Sequence, residues 1–357
     1  MLLHITPDDH QLPKVKNLER LANRRRADLR PDEPKDLNFV IDTEYLQCDK
    51  FLIGDIHVDS ERHLLFSTPD QLTILQQSRR WFCDGTFKVV REPFTQMWSI
   101  HAFIRKGDSC KQIPLVFCLM SRRKSKDYIA VLQKVKTAVA GPTQVQAFVS
   151  DFEKGAWKAI RQEFPETTIH GCAFHFCQAI FRKVTDLGLK TTYSQRGAEY
   201  RYIRSLMALP FLPTADIPAA FAQLGPRATS PELQRLVDYI AATWINNPVY
   251  TPRTWSTYQR SIRTNNDVEG WHTRINADVD KENAPFYILV PALQREANLV
   301  ELAVRLVSEE QILRNQRQRY KELEGRLHEV WGRYEDDEIS ASQLLRECGQ
   351  IYGPNND

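Results

Sequence analysis

The stretch VQAFVSDFEKGAWKAI, residues 145–160, decides the fold class of this chain. Its first half is an apolar, β-rich run that ends at Asp151. Its second half carries Trp157 and Ile160 at helical spacing, which predicts a strand followed by a helix. A carboxylate at such a junction lies at the carboxyl end of a sheet, where open α/β sheets bind their ligands. We therefore expect an α/β protein with a functional site at Asp151.

Two other stretches supply acidic residues that would complement Asp151. RRWFCDGTFKVV, residues 79–90, predicts a strand with Asp84 in its middle, and RTNNDVEGWHTRI, residues 263–275, carries Glu269. Carboxylate oxygens suit Mg²⁺ or Mn²⁺, and two such ions about 3.5–4 Å apart form a centre for phosphoryl transfer. The three acids therefore predict a two-metal site. The simpler alternatives are a helix N-cap at Asp151 and a solvated helical glutamate at Glu269.

Composition indicates an ordinary globular protein with enough chain for a large core. The chain has 357 residues and a net charge of +3, and it contains no run near the roughly 18 apolar residues of a membrane helix. We expect no membrane association, and we see no signal peptide. The clearest basic cluster follows a predicted strand and could contact DNA phosphates, although a solvated loop is an equal alternative; it comprises Arg122, Arg123, Lys124 and Lys126.

The order of predicted elements narrows the fold further. Three strands joined by short links form an antiparallel meander and are followed by a helix, the strand that ends at Asp151, a second helix, a fifth strand and a third helix. This β-β-β-α-β-α-β-α order is that of the ribonuclease H-like fold, whose first and fourth strands lie side by side and parallel. We therefore expect an α/β fold with a ribonuclease H-like mixed sheet in which Asp84 and Asp151 are neighbours.

The chain divides into segments that differ in composition. The predicted segments are an N-terminal leader or remnant (1–77), the catalytic core (78–187), an all-helical insertion (188–262), the glutamate helix with a helical C-terminal region (263–335), and a polar tail expected to fray (336–357). Leu313, Tyr320 and Leu327 recur every seven residues. This spacing is typical of a short coiled-coil arm, and equally of a helix packed on the catalytic domain.

Five motifs in order resemble the catalytic domain of Mutator-like element (MULE) transposases; they are DGTFK (84–88), SDFEKGA (150–156), CAFH (172–175), LMALPFLP (206–213) and RTNNDVEGWHTRIN (263–276). The resemblance implies a ribonuclease H-like fold with a helical insertion and an Asp-Asp-Glu triad at Asp84, Asp151 and Glu269. It also implies Mg²⁺ or Mn²⁺ as cofactor, double-stranded DNA as partner, a homo-oligomer, and a nuclear location.

One departure from the family pattern leaves a second function open. Such transposases commonly carry an N-terminal zinc-finger module for DNA binding, and nothing before residue 78 resembles one. A domesticated, non-catalytic DNA-binding or regulatory protein is therefore the alternative to an active transposase, although the intact triad favours activity. A nuclease of the same fold without strand transfer is a third interpretation. Without such a module, binding to DNA would rest on phosphate contacts and would be insensitive to base sequence.

Candidate accessory residues lie near the triad in sequence: Cys172, His175 and His272. The Cys172–His175 pair is half of a zinc site, but no second close pair exists, so we do not expect structural zinc. A buried thiol with a packed histidine is the plainer interpretation, and for His272 it is a partly exposed polar residue. Four aromatic residues could stack on flipped bases or belong to the core, which is the commoner role; they are Trp244, Trp255, Trp271 and Tyr258.

Overall fold

Seven strands form one mixed sheet in the computed structural model, which describes residues 15–260, 266–279, 282–311 and 318–352. The strand order across the sheet is β1-β2-β5-β4-β3-β6-β7. The strands are β1 Leu52–Val58, β2 Glu61–Phe66, β3 Arg80–Thr86, β4 Gln96–Lys106, β5 Ser109–Met120, β6 Ala147–Ser150 and β7 Thr168–Gly171. The expected α/β protein with a mixed sheet is confirmed.

The predicted meander and crossover are both present. β3, β4 and β5 pair antiparallel, whereas β3 pairs parallel with β6, and β6 pairs parallel with β7. Cys83 lies opposite Ser150 in the β3–β6 pair. Asp84 and Asp151, the next residues along each strand, therefore lie side by side at the carboxyl end of the parallel strands.

Helices account for most of the remaining described chain. They are α1 Val15–Asp28, α2 Thr43–Leu46, α3 Pro69–Gln77, α4 Ser125–Ala138, α5 Lys154–Glu163, α6 Ala173–Asp186, α7 Lys190–Ser194, α8 Ala198–Met207, α9 Ile217–Leu224, α10 Pro231–Ile240, α11 Pro252–Trp255, α12 Asn266–Asp278, α13 Phe286–Ser308, α14 Gln318–Glu335 and α15 Ala341–Ile351. Among the described helices, none has both the length and the apolar character needed to span a membrane.

The two faces of the sheet are covered by different helices. Successive side chains of a strand point to opposite faces. In β3, Trp81 and Cys83 pack in the large core that includes α4, α5 and the helices after β7. Phe82 packs on the other face, against Val149 of β6 and Val268 of α12. Asp84 is two residues after Phe82, so its side chain points to the same face of the sheet, toward α12.

Part of the segment predicted to be a leader or remnant, 1–77, belongs to the sheet. β1 and β2 form a hairpin, and β2 extends the meander by pairing with β5. Leu64, Leu65 and Phe66 are fully buried, because β2 is covered on both faces. The helix α3 starts with a capping box at Thr68 and Gln71. In α1, by contrast, every side chain that the structure describes is exposed.

The C-terminal helices pack on the domain. Leu327 and Trp331 of α14 are buried, and Trp331 Nε1 donates to the carbonyl of Phe211 at 2.9 Å. The sequence left two alternatives for this region, a coiled-coil arm and a helix packed on the catalytic domain. Over the described residues the helix is packed, and Leu313 lies outside them.

The tail does not fray over residues 341–351. Ser340 and Gln343 form a capping box that starts α15. The apolar stripe Leu344, Leu345 and Cys348 is buried against the helical region. The expectation of a frayed tail was wrong for this stretch, because its apolar residues recur at helical spacing and bury one face of the helix.

Candidate active site

Glu269 and His272 lie on the side of α12 that faces Asp84. They are three residues apart, so a helix places them on one side. Val268 anchors the same turn by packing on Phe82 and Val149. On the opposite side, Trp271 Nε1 donates to Glu296 of α13 at 2.7 Å. Contacts on both sides thus fix the position of α12, and Glu269 is held over the sheet.

Three elements bring potential ligand atoms together. Asp84, His175 and Glu269 each offer one such atom, and these atoms lie within 4.8 Å of one another. His175 Nε2 is 3.4 Å from Glu269 Oε1, and His272 Nδ1 is 3.5 Å from Asp84 Oδ2. His272 is only 7% exposed, so its interpretation as a partly exposed polar residue was wrong. Among the candidate residues, the structure therefore groups Asp84 and Glu269 with both histidines.

Asp151 borders this group from the end of β6. Its Oδ1 accepts a hydrogen bond from Ser150 Oγ at 3.2 Å, and its carbonyl accepts one from Trp157 Nε1 at 2.7 Å. The N-cap of α5 is Glu153, so the interpretation of Asp151 as a helix cap was wrong. Asp151 instead occupies the connection between β6 and α5, where its charge acts on Asp84.

The electrostatics are those of carboxylates crowded together with little solvent. Burial, followed by the charges of Asp151 and Glu269, holds the pKa of Asp84 well above its ordinary value. Burial and the neighbouring Glu153 raise the pKa of Asp151 to about 7. Burial raises the pKa of Glu269 to about 7. The site therefore favours a bound cation, which would relieve the repulsion among these groups.

Both histidines are neutral at pH 7. Burial and Arg182 lower the pKa of His175 to about 4, and burial and His175 lower the pKa of His272 to about 4. Neutral imidazoles add no positive charge that would compete with a cation. Each can donate one hydrogen bond and accept another, or ligate a metal.

The donor set fits a divalent cation. Glu269 Oε1 and His272 Nε2 are buried, and neither has a hydrogen-bond partner among the residues that the structure describes. Buried polar atoms without partners are costly, and at an acidic cluster a metal or its bound water would satisfy them. Asp84 and Glu269 could supply hard oxygen ligands, and His175 could supply a nitrogen.

The sequence analysis missed a supporting network behind Asp151. Glu153 accepts a hydrogen bond from Tyr128 Oη at 2.7 Å, and Gln96 Nε2 donates to the same hydroxyl at 2.5 Å. Gln96 and Tyr128 are fully buried. The only sequence signal was the position of Glu153 within SDFEKGA, two residues after Asp151. Its partners come from β4 and α4, which no local pattern connects to it.

Cys172 and the tryptophans are part of the core. Cys172 is buried at the N-terminus of α6, and it is not in the group formed by Asp84, His175 and Glu269. Trp244, Trp255 and Trp271 are buried, which agrees with the commoner interpretation of these residues. Tyr258 is half-buried and packs edge-on against Trp331.

The predicted DNA-binding cluster is not uniform. Arg122 makes two hydrogen bonds to the buried carboxylate of Asp127, at 2.9 and 2.8 Å, and lies 3.3 Å from Glu61. Its guanidinium therefore joins β2, β5 and α4. Lys126 is paired with Asp59. Arg123 is half-exposed and faces Glu153. Contact of this cluster with DNA phosphates stays a prediction, and Arg122 differs from Arg123 and Lys126 in that its partner, Asp127, is fully buried.

Arg122→Ala is expected to lower the free energy of unfolding by about 3 kcal/mol, because it leaves a fully buried Asp127 without its cation. Lys124→Ala should change it by less than about 0.5 kcal/mol, since surface substitutions rarely do more. Urea unfolding followed by circular dichroism would measure both. Equal stability of the two variants would contradict the structural role of Arg122.

Comparison with known proteins addresses the central part of the chain. A search of curated proteins returned no match. A family model described as the MULE transposase domain matches residues 80–179, a range that includes Asp84, Asp151 and His175 and ends before α12. The resemblance to the MULE transposase domain that the sequence motifs indicated is thus confirmed over residues 80–179.

Proposed function

We propose that this chain is the catalytic part of a MULE-type DNA transposase, with Asp84, Asp151 and Glu269 as its acidic triad. The observation that carries the proposal is convergence. Asp84 of β3 and Glu269 of α12 are far apart in sequence, yet their carboxylates come together with His175. Asp151 follows β6, which pairs with β3, and its charge acts on Asp84. Their raised pKa values are typical of functional carboxylates awaiting a cation.

The topology supports a ribonuclease H-like core within 78–187. From β3 to α6 the elements follow the order expected of that fold, and the strands lie in the order β5-β4-β3-β6-β7. We assign the helices between α6 and α12 to the predicted insertion at 188–262. The hairpin β1–β2 is an addition to the edge of this core.

The three carboxylates would hold two divalent ions, Mg²⁺ or Mn²⁺, with His175 as a candidate additional ligand. When bound, such ions lower the pKa of a water or a 3′-hydroxyl and stabilise the leaving oxygen. In hydrolysis the water oxygen bonds to phosphorus, the bond from phosphorus to the 3′ oxygen breaks, and that oxygen leaves with a proton. The freed 3′-hydroxyl would then attack a target phosphodiester in the same way. His272 would orient Asp84 through their contact.

Double-stranded DNA is the partner that this chemistry requires, and we extend the proposal to a homo-oligomer acting in the nucleus. Arg123, Lys124 and Lys126 border the carboxylate end of the sheet through the loop after β5 and the start of α4. Contacts to phosphates position DNA without reading bases. Binding should therefore be weak, on the order of 10⁻⁴–10⁻⁶ M, and should weaken as salt rises.

The decisive experiment is cleavage of labelled DNA by the wild-type chain and by Asp151→Asn. The wild type should nick DNA with Mg²⁺ or Mn²⁺ and not with EDTA, and Asp151→Asn should be inactive while remaining folded. Added target DNA should then yield joined products. A wild-type chain that binds DNA with metal present but never nicks it would instead support the domesticated, non-catalytic alternative.

A further inference from the structure

Phe87 is an exposed aromatic residue beside the carboxylates. It directly follows β3, three residues after Asp84, and it is 49% exposed. Two aromatic residues appear among the large exposed hydrophobic side chains of the described chain, and the other, Tyr45, packs edge-on against Tyr287. A single exposed aromatic is not unusual by itself. What sets Phe87 apart is its neighbour.

The guanidinium of Arg123 lies over the ring of Phe87, 4.6 Å from the ring centre. The same guanidinium is 3.5 Å from Glu153, which the hydroxyl of Tyr128 holds in place. Arg123 is still 46% exposed. A cation thus rests on an aromatic face at the mouth of the acidic site. Because Arg123 is already ordered, binding an anion would cost less conformational entropy.

This pair has the chemistry of a nucleotide subsite. Aromatic rings and arginine planes stack on bases of any sequence, and a guanidinium binds phosphate. Bases within a duplex are stacked on each other, so only an unpaired or flipped base can reach a protein ring. The tryptophans considered for this role are buried, whereas Phe87 is accessible and lies three residues after Asp84. Its neighbour Arg123 acts on the charge of Asp151.

We propose that Phe87 and Arg123 form a stacking subsite for an unpaired base of the DNA strand whose backbone is held at the carboxylates. The inference rests on the proposed function for its choice of ligand. Phe87 would provide the stacking surface, Arg123 would contact the adjacent phosphate, and Glu153 would position Arg123. The subsite would favour frayed or extended DNA ends over intact duplex, whatever their sequence.

Fluorescence anisotropy in EDTA tests the subsite without any cleavage. The probes are a blunt duplex, the same duplex with a single-stranded thymidine extension, and the same duplex with an abasic extension. Phe87→Ala should weaken binding to the thymidine extension by about tenfold and leave the other two probes unchanged. Phe87→Trp should retain the preference, and Arg123→Ala should weaken binding to both extended probes.

Two surface variants serve as matched controls. Leu299→Ala removes an apolar side chain that is 52% exposed, and Arg235→Ala removes an exposed arginine that pairs with Glu232. Neither should alter the preference for an extension. Thermal unfolding would establish that each variant is folded.

The outcomes separate this subsite from the proposed catalysis. Equal binding of the thymidine and abasic extensions by the wild type, or an equal loss on all probes for Phe87→Ala, would overturn the subsite. A chain that prefers the thymidine extension but never nicks DNA with metal would keep the subsite and overturn the catalytic proposal.

Discussion

Asp84→Asn is expected to lower metal-dependent DNA cleavage by about 1,000-fold or more and, at the same time, to make the metal-free protein more stable at pH 8. The loss of cleavage follows because a carboxylate that binds the cations supplies several kcal/mol of transition-state stabilisation. The gain in stability follows because Asp84 is 3% exposed and is repelled by Asp151 and Glu269. A neutral amide removes that repulsion without changing the shape of the side chain.

The sign of the pH dependence follows from the direction of the shift. The pKa of Asp84 is raised in the folded state, so the folded protein binds its proton more tightly than the unfolded chain does. The group therefore stabilises the fold at low pH, and this contribution is lost as pH rises through the folded pKa. Wild type and Asp84→Asn should have similar stability near pH 4, and at higher pH the variant should be the more stable of the two.

Differential scanning calorimetry in EDTA at both pH values, with and without Mn²⁺, measures this effect. Mn²⁺ should stabilise the wild type and leave Asp84→Asn unchanged, since a ligand stabilises only the state that binds it. Asp108→Asn is the matched control, because Asp108 is an exposed aspartate in the turn between β4 and β5. A variant that is destabilised at pH 8 would show that Asp84 has a structural role instead.

The affinity for Mn²⁺ is expected to fall by about 100-fold between pH 8 and pH 6. Ligand carboxylates must lose their protons before they bind a cation. Asp151 and Glu269 each have a pKa of about 7, so at pH 6 each is mostly protonated. Each group should then cost about tenfold in affinity over these two pH units.

Isothermal titration calorimetry over this range would measure both the affinity and the number of protons released. Glu269→Gln supplies the internal comparison: its affinity should be lower at pH 8, and its remaining pH dependence should shrink to about tenfold. An affinity for Mn²⁺ that is equal at pH 6 and pH 8 would contradict the assignment of these carboxylates as ligands.

The residue pattern between β3 and α6 was sufficient to predict the local structure around two members of the triad. Strands with period two and helices with apolar stripes have short-range signals, and a strand that ends at a carboxylate is readable from SDFEKGA alone. The adjacency of Asp84 and Asp151 followed from element order, because a parallel pair needs a crossover such as α4. The domain boundaries and the triad itself remain predictions.

The tertiary structure decided what lies around those carboxylates. The sequence analysis placed β1 and β2 in an N-terminal leader, since the place of β2 beside β5 depends on pairing between residues 51 to 57 positions apart. The network of Glu153, Tyr128 and Gln96 could not be predicted for the same reason, because its hydrogen bonds join three elements that are far apart in the sequence.

The sequence by itself determined which residue types could do chemistry and on which strands two of them stand, because those signals are local. Only the tertiary structure decided that Arg122 holds Asp127, that the tryptophans are core, and that Phe87 is open beside Arg123. Burial and pairing depend on contacts between distant parts of the chain. A basic or aromatic residue therefore has the same appearance in the sequence whether it supports the fold or faces a ligand.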